Sequence, residues 1–159
     1  MTEQAESVAV RRAVTVKARP ERAFEVFTAG IAGWWPLDKA HIGSQPPIEA
    51  VVEPREGGRW FERAADGTEC DWGRVLAWEP PHRVVFSWAI SADFKPDPAI
   101  ATEVEVRFEA EGDGATRVEL EHRGLELYGE HAERMRETFG SPGGWVGMLT
   151  GFAGAAEES

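Results

Sequence analysis

Val8, Val10, Val14 and Val16 alternate with Ala9, Arg11, Ala13, Thr15 and Lys17. That period of two marks a strand with one buried face. Arg12 falls on the apolar side of the pattern. It either ends the sheet with its head in water or points inward. Pro20 then opens a short helix, with Phe24, Phe27 and Ile31 as its apolar stripe. Trp34 and Trp35 follow, and Pro36 blocks further helix. Residues 37–47 read as loop.

From Ile48 onward the alternation predicts a series of strands. Ile48, Ala50 and Val52 form one buried face, and Gly57-Gly58 turns the chain. A strand over 59–64 meets Asp66-Gly67, a strong hairpin signal because both central positions of a type I′ turn need positive φ. The next runs from Thr68 to Trp78 and ends at Pro80-Pro81. Arg83 to Ile90 follows, with Val84, Phe86, Trp88 and Ile90 on one face. Residues 91–101 read as loop. Val104, Val106 and Phe108 then face inward while Glu103, Glu105, Arg107 and Glu109 face water. After a turn at Gly112-Asp113-Gly114, Val118 and Leu120 alternate with charges, and His122 shares their face. Tyr128, Ala132, Met135 and Phe139 form a helical stripe that Gly140 ends. Ser141 is read as the cap and Pro142 as the start of a last helix. Trp145, Met148, Leu149, Phe152 and Ala156 are its apolar face.

This order predicts an α+β fold, a curved antiparallel sheet covered by one C-terminal helix. The 159 residues suit a single domain, with 1–7 frayed. A ligand pocket is expected between sheet and helix.

Charge and composition narrow the function. A net charge of -11 should repel nucleic acid and anionic membranes, so neither is an expected partner. Cys70 is the only cysteine, which excludes an internal disulfide and fits a reducing compartment. No signal peptide precedes the first strand, and no apolar run reaches the ~20 residues a membrane span needs. A cytoplasmic protein is expected. His41, His82, His122 and His131 lack the spacing of a metal motif, and no glycine-rich phosphate loop follows a strand, so no metal or cofactor is expected.

The inner face supplies the candidate ligand contacts: Trp35, Trp60, Trp72, Phe86, Trp88, Phe108, His122, Trp145, Met148 and Leu149. Indoles can stack on a flat apolar molecule, though core filling explains most of them equally well. His122 can bond a ligand oxygen or act as a base; the simpler role is a strand-end histidine bonded within the protein. A Cys70–His122 nucleophile and base pair is the weakest option.

The segments AVTVKARPERAFEVFT, WWP, EPREGGRWFERAADGTECDWGRVLAWEPPHRVVFSW, TRVELEHRGLE and GGWVGMLTGF resemble the START-like (SRPBCC) superfamily. Within it they resemble most the branch named for the activator of heat-shock protein 90 ATPase, over residues 8–156. The resemblance implies a helix-grip (START/Bet v-like) fold with a hydrophobic cavity under the C-terminal helix. It implies binding of a small hydrophobic or amphipathic ligand, without assigned catalysis. Two alternatives stand beside it. One is a co-chaperone of stress response, docking a protein through a sheet edge or the Trp34-Trp35 loop. The extra N-terminal domain of the eukaryotic co-chaperone is expected to be absent, since the first strand starts near Val8. The other is a cyclase or hydrolase using His122 with an inward carboxylate such as Glu62.

Overall fold

Seven strands pair antiparallel in one curled sheet in the computed structural model, which describes residues 9–35, 47–142 and 144–157. They are β1 (Ala9–Val16), β2 (Pro47–Val52), β3 (Arg59–Ala64), β4 (Glu69–Glu79), β5 (Arg83–Trp88), β6 (Thr102–Ala110) and β7 (Thr116–Arg123). Their spatial order is β1-β7-β6-β5-β4-β3-β2. Strands β2 to β7 thus form a meander, and β1 closes the far edge beside β7. Three α-helices complete the α+β architecture: α1 (Pro20–Phe27), α2 (Ala132–Phe139) and α3 (Trp145–Glu157). The 13 residues of α3 make a rod about 20 Å long. It packs against β1 and α1 through Trp145, Leu149, Phe152 and Ala156.

Period-two alternation sorts the two faces as the sequence predicts. On β6, Thr102, Val104, Val106 and Phe108 are buried inward; on β7, Thr116, Val118, Leu120 and His122 join them. Register sets Val104 opposite His122 and Val106 opposite Leu120. Gly73 lets the strands crowd at β4. A methyl group there would lie 1.8 Å from the Ser87 carbonyl oxygen, which also accepts the Trp60 indole N–H at 2.7 Å. No larger residue fits that crossing.

Four expectations need correction, and the structure decides between the two readings of Arg12. Ile48 is 61 % exposed, because a register shift between Pro47 and Glu49 carries it off the buried face. Of the two readings of Arg12, the water-facing one holds: it is exposed on edge strand β1, and its guanidinium donates to the Gly140 carbonyl at 2.9 Å, a cation at the end of α2. The stripe from Tyr128 to Phe139 is not one helix. A 3₁₀ segment, Leu125–His131, precedes α2, and Gly129 breaks the spiral at φ 61. Ser141 and Pro142 do not begin the last helix: the Ser141 hydroxyl donates back to the Thr138 carbonyl, and α3 starts at Trp145. Glu105 does not face water; it is 4 % exposed beneath arginines of β5, β6 and β7. The predicted loop over 37–47 lies almost wholly outside the described residues, as do residues 1–7 and His41. Among the described residues, no helix is long and apolar enough to cross a membrane.

Candidate functional site

The concave face of the sheet is an aromatic interior. Trp60 of β3 stacks on Phe86 of β5 at 4.3 Å and meets Trp72 of β4 edge-on at 5.3 Å. Trp35, following α1, leans on Trp72 at 4.8 Å and faces Trp145 of α3 at 6.0 Å. Trp88 of β5 lies 5.6 Å from Trp60 and 6.3 Å from His122. Leu149 is buried in the same cluster, and Met148 packs half-buried against it. Phe108 stands apart: it packs on Phe24 and Phe27 of α1, at 5.2 and 6.0 Å, far from the polar corner.

These rings pack against one another across the inner face, and Trp60, Trp72, Phe86, Phe108 and His122 are all fully buried. Three surface grooves, of about 360, 590 and 410 Å³, lie elsewhere. The first runs over the charged outer face along β1, β7 and β6, and the other two flank the start of α1. Of the ten candidate ligand contacts only Phe108 touches one of them.

One corner of the interior is polar. The Trp145 indole donates to His122 Nδ1 at 3.1 Å. Indole nitrogen is a donor only, so Nδ1 is bare and Nε2 carries the proton. That Nε2–H meets Thr102 Oγ1 at 2.8 Å, and the Thr102 hydroxyl donates onward to the Trp88 carbonyl at 3.0 Å. Tyr128 donates its hydroxyl to the Ile90 carbonyl at 2.7 Å. His122 is fully buried, and burial pushes its pKa down to about 3. It is therefore a neutral imidazole with both nitrogens engaged, pinning α3 to the sheet. In this state it is no free base. Burial raises the Tyr128 phenol to about 12, opposed in part by neighbouring Thr102 and Trp88.

Phe139 of α2 covers this corner. Its ring lies 4.4 Å from the His122 ring, 6.4 Å from Trp88 and 6.3 Å from Tyr128. At 7 % exposure it is the least buried of the rings around His122.

One donor has no acceptor. Trp88 Nε1 is buried and makes no hydrogen bond. The indole lies close enough to the Tyr128 oxygen to affect it, yet the N–H does not reach hydrogen-bond geometry. An unsatisfied buried donor costs about 1–3 kcal/mol.

Other candidates separate. Glu62 is buried but accepts the Trp72 indole at 2.8 Å; it has no hydrogen bond to His122. An acid–base couple of the two is not assembled. Cys70 pairs across the strands with Glu62, and burial, with Glu62 and Asp71 nearby, pushes its thiol up to about 11. It is a protonated thiol, not a nucleophile. Trp34 and Trp35 are both buried, and Trp34 donates to the Val26 carbonyl at 2.8 Å, so neither presents an exposed docking ring. No group of three or more His, Cys, Asp or Glu side chains among the described residues is arranged to hold a metal ion. The sequence reading missed Thr102 and the covering role of Phe139. The alternation of β6, carried one step back from Val104, places Thr102 inside.

A curled antiparallel sheet gripping a C-terminal helix defines a START-like domain. The chain belongs to the family described as Activator of Hsp90 ATPase homolog 1-like protein, whose model matches residues 17–157. No curated protein matches it significantly. Among solved structures it is similar to "an anthrahydroquino-Gama-pyrone synthase Txn09 complexed with SUM", with 39% identity over 92% of this chain and 96% of that one, at TM-score 0.64. It is also similar to the self-sacrificing resistance protein CalC from Micromonospora echinospora, with 29% identity over 94% of each chain, at TM-score 0.65. The Aha1 dimer from Colwellia psychrerythraea shares the fold at 19% identity, covering 94% of this chain and 96% of that one, at TM-score 0.59.

Proposed function

We propose that this protein binds one small, flat, largely apolar molecule between the sheet and α3, against the indoles of Trp60, Trp72 and Trp88. The observation that carries the reading is the aromatic interior with a polar corner at one end, in a chain 39% identical to a synthase described as complexed with SUM. Ring faces supply sequence-tolerant stacking, and a few fixed polar groups orient the guest. Phe139 of α2, lying over His122 at 4.4 Å, is the side chain that would move aside to admit the guest.

Titrating wild-type protein with a flat tricyclic hydrocarbon such as fluorene while following tryptophan fluorescence tests the reading. The expected result is a saturable quench with one site per chain and a raised melting temperature. A linear quench with unchanged melting excludes it.

A second reading, an enzyme of the cyclase type, is favoured by the synthase named at 39% identity. His122 has no free nitrogen, so such an enzyme would act by donating hydrogen bonds to a substrate oxygen rather than by abstracting a proton. Turnover of a bound aryl ketone, rather than its retention, separates this reading from the first.

A further inference from the structure

The indole N–H groups of this protein differ in one respect. Those of Trp34, Trp60, Trp72 and Trp145 donate to the Val26 carbonyl, the Ser87 carbonyl, the Glu62 carboxyl and His122 Nδ1. The Trp88 N–H, just as deeply placed at 6 % exposure, donates to nothing. Around it every other hydrogen is committed. His122 is bonded to Thr102, Thr102 to the Trp88 carbonyl, and Tyr128 to the Ile90 carbonyl. The corner has one donor in excess, which an acceptor atom from outside would satisfy.

The surroundings restrict that acceptor. No lysine or arginine is among the buried residues of this interior, and the Glu62 carboxyl sits under Trp72, whose ring is 6.0 Å from Trp88. Among the described residues an anionic ligand would meet no buried lysine or arginine in this interior, so a neutral oxygen fits it better than a carboxylate. The rings of Trp60, Trp72 and Phe139 around Trp88 set a flat frame beside that oxygen.

We propose that the Trp88 indole N–H is the recognition donor of the binding site, and that it selects flat aromatic molecules bearing a neutral carbonyl: ketones, quinones or lactones. This rests on the binding function proposed above and adds the chemistry of the ligand. The carbonyl enters where the Phe139 ring now lies, between Trp88 and Tyr128.

The test compares 9-fluorenone with fluorene, one ring frame with and without the acceptor, on wild-type protein, Trp88→Phe and Phe139→Ala, by calorimetry. Wild type is expected to bind fluorenone about tenfold more tightly than fluorene, the worth of one buried neutral hydrogen bond. Trp88→Phe keeps an aromatic ring and removes the N–H; the smaller ring weakens both probes alike, and the preference for fluorenone over fluorene should fall to within about twofold. Trp88→Phe should also melt no lower than wild type, whereas Trp60→Phe, which strands the Ser87 carbonyl, melts lower. Equal affinity of wild type for both probes overturns the donor assignment and leaves the binding function standing. A melting loss in Trp88→Phe as large as that of Trp60→Phe also overturns it, since the N–H then has a partner inside the protein. Failure of both probes to bind wild type and Phe139→Ala removes the binding function and this inference together.

Discussion

The two faces of the sheet bury a titratable group in opposite ways. On the inner face His122 sits among rings, and burial holds it neutral, with its pKa near 3. On the outer face Glu105 is almost as hidden, yet it stays charged. Burial pushes its carboxyl up, but hydrogen bonds from Arg83, Arg123 and Arg107 outweigh that and hold it near 2. Arg83 and Arg107 donate at 2.6 and 2.9 Å, and Arg123 completes the set. The inner face excludes charge and the outer face neutralises it. Among the described residues, the buried donor without an acceptor, Trp88 Nε1, lies on the inner face.

Breaking each face sharpens that contrast. The largest effect belongs to the inner face. Trp60→Ala empties a site under Phe86 and Trp72 and strands the Ser87 carbonyl; it should cost about 3–5 kcal/mol in chemical denaturation. A loss below about 1 kcal/mol would mean the aromatic interior is loosely packed. On the outer face, Glu105→Gln leaves three arginines facing one another. Breaking a fully buried ion pair costs about 3–5 kcal/mol, but these guanidinium side chains are 31–56% exposed, so about 2–3 kcal/mol is expected. Raising salt should recover part of it in the variant, by screening the repulsion.

The pH dependence separates the faces further. Unfolded histidine takes up its proton below pH 6.5, while folded His122 refuses it down to about 3. Its contribution is therefore complete above pH 6.5 and declines as pH falls toward 3. Unfolded Glu105 takes up its proton below about 4.5, so its contribution declines between pH 4.5 and 2. Both groups lose stability on acidification, in different windows. Below pH 6.5 the His122 slope should steepen from about 0.7 toward about 1.4 kcal/mol per pH unit near pH 5, and this component should vanish in His122→Asn. A flat wild-type profile in that window contradicts a buried neutral His122. The smallest effect lies at the rim of the outer face. Glu121→Gln loses its 3.0 Å bond from Arg11, whose side chain is 75% exposed, and should change stability by less than about 0.5 kcal/mol.

Much of the site was legible in the pattern of residues. Strict alternation on β6 and β7 placed Val104, Val106, Phe108 and His122 inward, and the stripe on α3 placed Trp145 and Leu149 against them. What His122 does was not legible. Its partners Thr102 and Trp145 are 20 and 23 residues away, and only the folding of α3 over the sheet brings them to one imidazole. Glu105 was misread for the same reason: a glutamate at a polar position reads as solvated until three strands deliver three arginines around it.

The local order of residues determined the elements, the faces and the fold class, because side-chain direction repeats every two residues along a strand and is settled by the chain's own geometry. Tertiary structure alone decided which rings meet across the inner face, that His122 is neutral, and that Trp88 keeps a bare N–H. Those properties depend on volumes and partners contributed by distant segments, and no local pattern records how such segments meet.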